Sequence, residues 1–144
     1  MLLLGTFVRL WAQQHLHYRL DIRKQLTETG PYRLLRNPIY VGNTLMCLGA
    51  VAASELLWLM PVTLLWCAAL YTLVVQDEEA HLLEKYGRPY RAYLLRVPRW
   101  LPRVFHLESL GLVNRHFVKS LVSELHCLLV LLPFVIKEMV CELV

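Results

Sequence analysis

Gly30-Pro31-Tyr32-Arg33-Leu34-Leu35-Arg36-Asn37-Pro38-Ile39-Tyr40-Val41-Gly42 carries a charged, twice-broken stretch straight into apolar sequence. Gly30 permits backbone angles that other residues avoid, Pro31 fixes its own φ, and Asn37 is pushed toward extended geometry by Pro38. The chain therefore turns at Gly30 and restarts at Pro38. Asn37 suits the cap of a new helix with Pro38 at its first position, which leaves free backbone N–H groups near the Arg36 guanidinium. Such an end attracts anions, and the apolar run behind it places that end at a membrane surface.

Composition bounds the class. The chain has 144 residues, 57% of them hydrophobic, and a mean hydropathy of +0.45, which is too apolar for an ordinary soluble domain. Fifteen Lys and Arg against eleven Asp and Glu give +4. In a membrane protein that modest excess reports membrane-facing loops, and no basic-aromatic run points to nucleic acid. Cys47, Cys67, Cys127 and Cys141 lie in apolar sequence without paired spacing and read as small buried hydrophobes, so neither a disulfide nor a zinc site is implied. Met1-Leu2-Leu3-Leu4 has no basic n-region or cleavage site of a removable signal peptide.

Outward from the opening stretch, Met1 to Ala12 is apolar apart from Arg9 and reads as the tail of a longer helix. Twelve helical residues reach only about 18 Å against a hydrocarbon core of ~30 Å, so this stretch cannot cross alone. Gln13 to Thr29 is polar and suits a loop or interfacial helix; His15 and His17 with Asp21 do not complete a metal coordination sphere. Pro38 to Ala53 is uncharged, Ser54 and Glu55 interrupt, and Leu56 to Val75 is uncharged again. The two segments predict a tight helical hairpin, with Gly42 and Gly49 on nearly one face for close helix approach. Asp77-Glu78-Glu79 continues the second helix to Gly87, Arg88-Pro89 restarts a short basic helix to Arg96, and Tyr86, Tyr90 and Tyr93 are expected as one stripe.

No Lys or Arg occurs between Asn37 and Glu84, while basic residues crowd both flanks. Charge bias therefore predicts both flanks on the cytoplasmic side, with Ser54 and Glu55 opposite. The chain has no Gly-x-Gly-x-x-Gly turn after a strand, so a soluble dinucleotide domain is excluded and any cofactor must be held by membrane helices and their cytosolic ends.

The Arg36-Asn37-Pro38-Ile39-Tyr40-Val41-Gly42 segment resembles the Arg-His/Asn-Pro-x-Tyr-x-Gly signature of the isoprenylcysteine carboxyl methyltransferase family, related to the membrane phospholipid methyltransferases. The likeness runs from about Gly5 to Pro102 and takes in Arg9-Leu10-Trp11-Ala12, Glu78-Glu79, Tyr86-Gly87-x-x-Tyr90-x-x-Tyr93 and Val97-Pro98-Arg99. It implies an all-α, polytopic integral membrane bundle with a central helical hairpin and cofactor-binding cytosolic ends, over residues 1–103. Residues 104–144 form an extension with an interfacial or membrane helix. The family usually has a further helix before this point, which here is either missing or supplied by a partner.

The implied cofactor is S-adenosylmethionine, and the implied activity is methyl transfer to a lipophilic small molecule or lipidated substrate among membrane lipids, with a homo-oligomer as a further option. The resemblance assigns cofactor contacts to Lys24, Gln25, Leu26 and Thr27, to Tyr32, to Asn37, Pro38, Ile39 and Tyr40, and to Glu78. The chemistry of the residues adds Arg36 for the cofactor carboxylate and Glu79 as an alternative to Glu78 for ribose hydroxyls or ammonium, with Tyr32 or Tyr40 offering a ring face to the sulfonium. Alignment and exclusion of water are the protein's main work; an amine or thiol acceptor would also need a base, for which Glu79 and His81 are nearest. Prenylcysteine enzymes place a substrate-binding arginine about one turn before Glu78, where this chain has Val74. Two rivals remain: an NADPH-dependent reductase, since membrane sterol reductases carry a similar Arg-His-Pro-x-Tyr-x-Gly segment, and a non-catalytic member. Glu78-Glu79 and Gly30-Pro31-Tyr32 favour methyl transfer.

Overall fold

The computed structural model describes residues 1–21 (side chains to residue 16), 26–102, and the positions 121, 122 and 125. Lys24, Gln25 and nearly all of the 104–144 extension lie outside the described residues. Within them every regular element is a helix and there is no strand. Helix α1 spans Leu2–Asp21, α2 Pro38–Ala53, α3 Met60–Tyr86 and α4 Arg88–Arg96, with 3₁₀ turns at Gly30–Arg33 and Leu57–Leu59.

Helix α1 decides between the loop and the helix left open for the polar stretch. Gln13 to Asp21 does not leave the helix but continues it, giving twenty residues without a break. Its polar positions are covered by tertiary contact: Gln14 and His15 are buried beside Trp11 and Ala12. His15, weighed above as a metal ligand, instead holds the Gly30 turn. Its ring sits where a Gly30 side chain would be, 2.3 Å from that Cβ position, and Nδ1 hydrogen-bonds Thr29 Oγ1 at 3.0 Å. Gly30 has φ +59°, so both its backbone and its surroundings require glycine.

The glycine face of α2 corrects the expectation of hairpin packing. Gly42 and Gly49 do pack against a helix, but that helix is α1, which runs antiparallel to α2 in its most extensive helix contact. A Cβ on Gly49 would lie 2.5 Å from the Leu2 amide nitrogen, and one on Gly5 would lie 2.7 Å from the Gly42 carbonyl oxygen and 2.8 Å from the Met46 amide nitrogen. Neither backbone can yield cheaply. Gly5→Val should therefore push α1 from α2 and cost about 1–3 kcal/mol, read as a lower unfolding temperature in detergent.

The hairpin of α2 and α3 forms as expected, turned by Ser54 and a Glu55 at φ 59°. Pro61 sits in the first turn of α3, where a proline costs least, and Gly87 at φ 61° ends that helix. Residues Leu57–Tyr86 make one helical unit long and apolar enough to cross a membrane. Leu65, Trp66 and Leu73 on it are each more than 60% exposed, which suits hydrocarbon and not water. Helix α2, at sixteen residues, reaches about 24 Å and is the shorter partner. Cys67 is buried as expected, whereas Cys47 is exposed.

The three tyrosines do not form one stripe. Tyr86 closes α3, and the bend at Gly87 redirects the chain so that only Tyr90 and Tyr93 turn inward, at 2% and 3% exposure. Beyond α4 the segment from Val97 folds back over the start of α2. The Arg36 amide donates to the Pro98 carbonyl at 2.9 Å, and Tyr93 Oη donates to the Tyr32 carbonyl at 2.7 Å.

Candidate functional site

These returns build a cavity of about 150 Å³ at the shared end of α2 and α3. Its wall takes Leu26, Thr27, Tyr32 and Arg36 from the segment before α2, and Asn37, Pro38, Ile39 and Tyr40 from the start of α2. Glu78, Glu79 and Leu82 come from α3, Leu16 from α1, and Tyr90 and Tyr93 from α4. All the sequence-predicted site residues within the described chain thus meet around one space. Leu16 and Leu82 join the lining with no signal in the sequence, and Tyr90 and Tyr93 join it from the tyrosine series of α4. Their tyrosine spacing was visible in the sequence, but their direction depends on the Gly87 bend.

Glu79 is the electrostatic centre of one wall. Its carboxylate meets Arg36 Nη1 at 2.9 Å and Arg99 Nη2 at 2.5 Å, with Arg99 Nε also donating at 3.3 Å. Two guanidiniums around one carboxylate leave a net charge of +1. Glu79 is 12% exposed and holds both guanidiniums while still lining the cavity. Arg99, quoted above only as part of a motif, was the missed residue of this cluster.

Arg36 is correspondingly different from expectation. Part of its charge is spent on Glu79, but its Nε is buried with no hydrogen-bond partner in the structure, as is Thr27 Oγ1 on the same cavity. Buried donors and hydroxyls of this kind call for an acceptor. Asn37 stands at the cap position of α2 but makes no side-chain cap; its Nδ2 donates instead to the Arg99 carbonyl at 3.4 Å. The first turn of α2 therefore keeps its positive end uncapped by side chains.

Glu78 stands outside the arginine cluster and accepts from Tyr40 Oη at 3.2 Å. Both adjacent acids line the cavity, Glu78 exposed and Glu79 half-buried. Tyr90 and Tyr93 are neutral hydroxyls: burial, then the Glu79 charge, pushes Tyr90 up to about 12, and burial raises Tyr93 further. His81 is exposed. A second cavity of about 280 Å³ lies between α2 and α3 beneath Trp100 and Leu101, and its lining carries no charge.

Among the described residues no group of three His, Cys, Asp or Glu side chains gathers as a metal site would require. Comparison with curated proteins finds the nickel-cobalt-cadmium resistance protein NccN of Alcaligenes xylosoxydans xylosoxydans, 33% identical over 113 residues, covering 77% of this chain and 52% of that protein. It also finds the cobalt-zinc-cadmium resistance protein CzcN of Cupriavidus metallidurans, 34% identical over 101 residues, covering 70% of this chain and 45% of that protein. The chain thus spans about half the length of the curated relatives it matches. No solved structure matches. The phospholipid methyltransferase family model matches residues 1–89, from α1 through the acidic pair to the bend after α3. A match over more than half of the chain, taking in most of the residues that wall the charged cavity, places this protein in the phospholipid methyltransferase family.

Proposed function

We propose that the chain binds S-adenosylmethionine in the charged cavity and directs methyl transfer to a lipophilic acceptor in the membrane. The observation that carries this is the mixed polarity of one small space: the net positive Arg36–Glu79–Arg99 cluster beside the α2 start, and the separate Glu78 carboxylate on the same lining. A zwitterionic ligand with a carboxylate and an ammonium is complementary to that pair. The orphaned Arg36 Nε and Thr27 Oγ1 fit the polar groups of such a ligand. The cavity is smaller than the ~300–1,000 Å³ of a typical ligand pocket, so it suits one end of the cofactor, with the remainder beyond its rim.

When bound, the cofactor supplies an electrophilic methyl group already activated by its sulfonium. The residues' own work is placement. Arg36 and the first turn of α2 hold an anion, Glu78 accepts from hydroxyl or ammonium donors, and the Tyr40 ring, held by its bond to Glu78, presents an aromatic face. Tyr90 and Tyr93 close the wall with neutral, largely apolar surface that excludes water. Metal resistance is said of the two relatives by name and gives this site no added ligand.

The test is direct binding of S-adenosylmethionine and of NADPH to the purified protein by calorimetry. Saturable binding of the first alone is expected; binding of NADPH alone moves the chain to the reductase reading, and binding of neither to the non-catalytic one. The same reading predicts a multi-pass topology with the site on the cytoplasmic face. In single-cysteine variants of a cysteine-free background, a membrane-impermeant thiol reagent applied from outside should label position 54 and not position 88. The reverse pattern would refute the charge-bias argument.

A further inference from the structure

The contact seam between α2 and α3 is polar at one level after another. Glu78 accepts from Tyr40, whose ring lies 5.0 Å from that of Tyr71, two turns earlier on α3. Tyr71 shares a hydrogen bond with Asn43, the acceptor for Arg9 Nη1 of α1. One turn deeper the seam ends on sulfur: the Cys67 thiol is within hydrogen-bonding reach of the Thr44 hydroxyl and of the Cys47 thiol. Cys47 follows Pro38 by nine residues and Cys67 precedes Glu78 by eleven, so both stand about 14–16 Å along their helices from the charged cavity.

Packing alone does not account for this pair. The reading of a cysteine as a small buried hydrophobe fits Cys67, whereas Cys47 is exposed. Their sulfurs come from different helices and meet, and Cys67 also lines the uncharged cavity of about 280 Å³. That cavity gives an uncharged species a route to the thiols. Among the described residues no third Cys, His, Asp or Glu gathers with them, so the four-ligand shell of zinc is not available. Two thiolates are enough for a soft ion that favours linear coordination. Charge then decides between such ions: a divalent one with two thiolates is neutral, and a monovalent one leaves a net negative charge in hydrocarbon.

From this juxtaposition we infer that Cys47 and Cys67 form a two-thiolate site for a soft divalent ion of linear preference, with mercury(II) as its type, which clamps α2 to α3 within the membrane. Each thiol gives up its proton as its sulfur bonds the ion. An ion arriving as the neutral dichloride therefore releases two protons and two chlorides to water, and its oxidation state does not change. The site is separate from the charged cavity and does not depend on methyl transfer.

The test uses the full chain carrying Cys127→Ala and Cys141→Ala, so that only the pair remains, reduced and then freed of reductant in detergent. Titration with mercuric chloride, followed by native mass spectrometry, should give one ion per monomer at the mass of protein plus metal less two protons. Adding Cys47→Ser leaves one sulfur, and the ion should then be displaced by at least about a hundredfold less β-mercaptoethanol. Zinc and cobalt should leave no adduct under the same competition. Absence of a mercury adduct on the reduced, folded pair overturns the inference, as does an adduct that joins two chains or retention unchanged by Cys47→Ser. Zinc held as firmly as mercury overturns the two-ligand assignment. Should Cys47→Ser not fold, X-ray absorption of the parent adduct decides: two sulfur neighbours are expected, and any other number overturns the site.

Discussion

Glu79→Gln should destabilise the fold by about 3 kcal/mol, the low end of the ~3–5 kcal/mol lost when one member of a buried ion pair is removed. The carboxylate is 12% exposed and holds Arg36 and Arg99 on opposite sides. Its neutralisation leaves two guanidiniums in mutual repulsion and frees the Arg99 segment, which also carries the backbone contacts from Pro98 to Arg36 and from Arg99 to Asn37. Because α3, the start of α2 and the chain after α4 meet at this one side chain, cofactor binding should fall together with the unfolding temperature. Thermal unfolding in detergent checks this: an unfolding temperature equal to that of wild type would show that the cluster is dispensable.

Glu78→Gln should do the opposite, weakening S-adenosylmethionine binding by about tenfold while leaving stability near wild type. Glu78 is exposed and accepts a hydrogen bond from a neutral phenol, so the fold gains little from its charge. A bound ammonium or ribose would gain a charge-assisted hydrogen bond worth on the order of 1.5–3 kcal/mol, reduced by solvent to roughly 1.4 kcal/mol, a factor of ten. Glu84→Gln, exposed further along α3, is the control. Calorimetric titration that finds Glu78→Gln and Glu84→Gln binding equally would remove Glu78 from the site. The contrast between neighbours is the point: residues 78 and 79 carry the same functional group, and their partners separate ligand contact from scaffold. Arg36→Ala is a less clean probe than its position suggests, since it also breaks the pair with Glu79.

Local chemistry made much of this chain legible. Pro38 at the start of α2, Pro61 in the first turn of α3 and Gly87 at its end follow from φ restriction and the missing N–H of proline, and from the freedom of glycine. The apolar length of α3 and the return of Glu78 to the level of Arg36 follow from composition and hairpin geometry. Residues 26, 27, 32, 37–40 and 78, which the family resemblance singles out, and Arg36 and Glu79, which their chemistry adds, line one cavity.

What only the tertiary structure decided are the choices that depend on a distant partner. Gln13 to Asp21 continues α1, with Gln14 and His15 buried in the fold, where polarity read locally leaves a loop and an interfacial helix equally open. Gly42 and Gly49 face α1 because an ungapped glycine face accepts whichever helix arrives, and sequence spacing records the face but not the visitor. Arg99 reaches Glu79 across twenty residues, Tyr90 and Tyr93 turn inward only after the Gly87 bend, and Arg9 meets Asn43 across thirty-four. The sequence by itself determined where α2 and α3 begin and end and which charges share one end of their hairpin; three-dimensional closure decided which of those charges neutralise one another, because Coulomb energy and desolvation depend on distance in space and not along the chain.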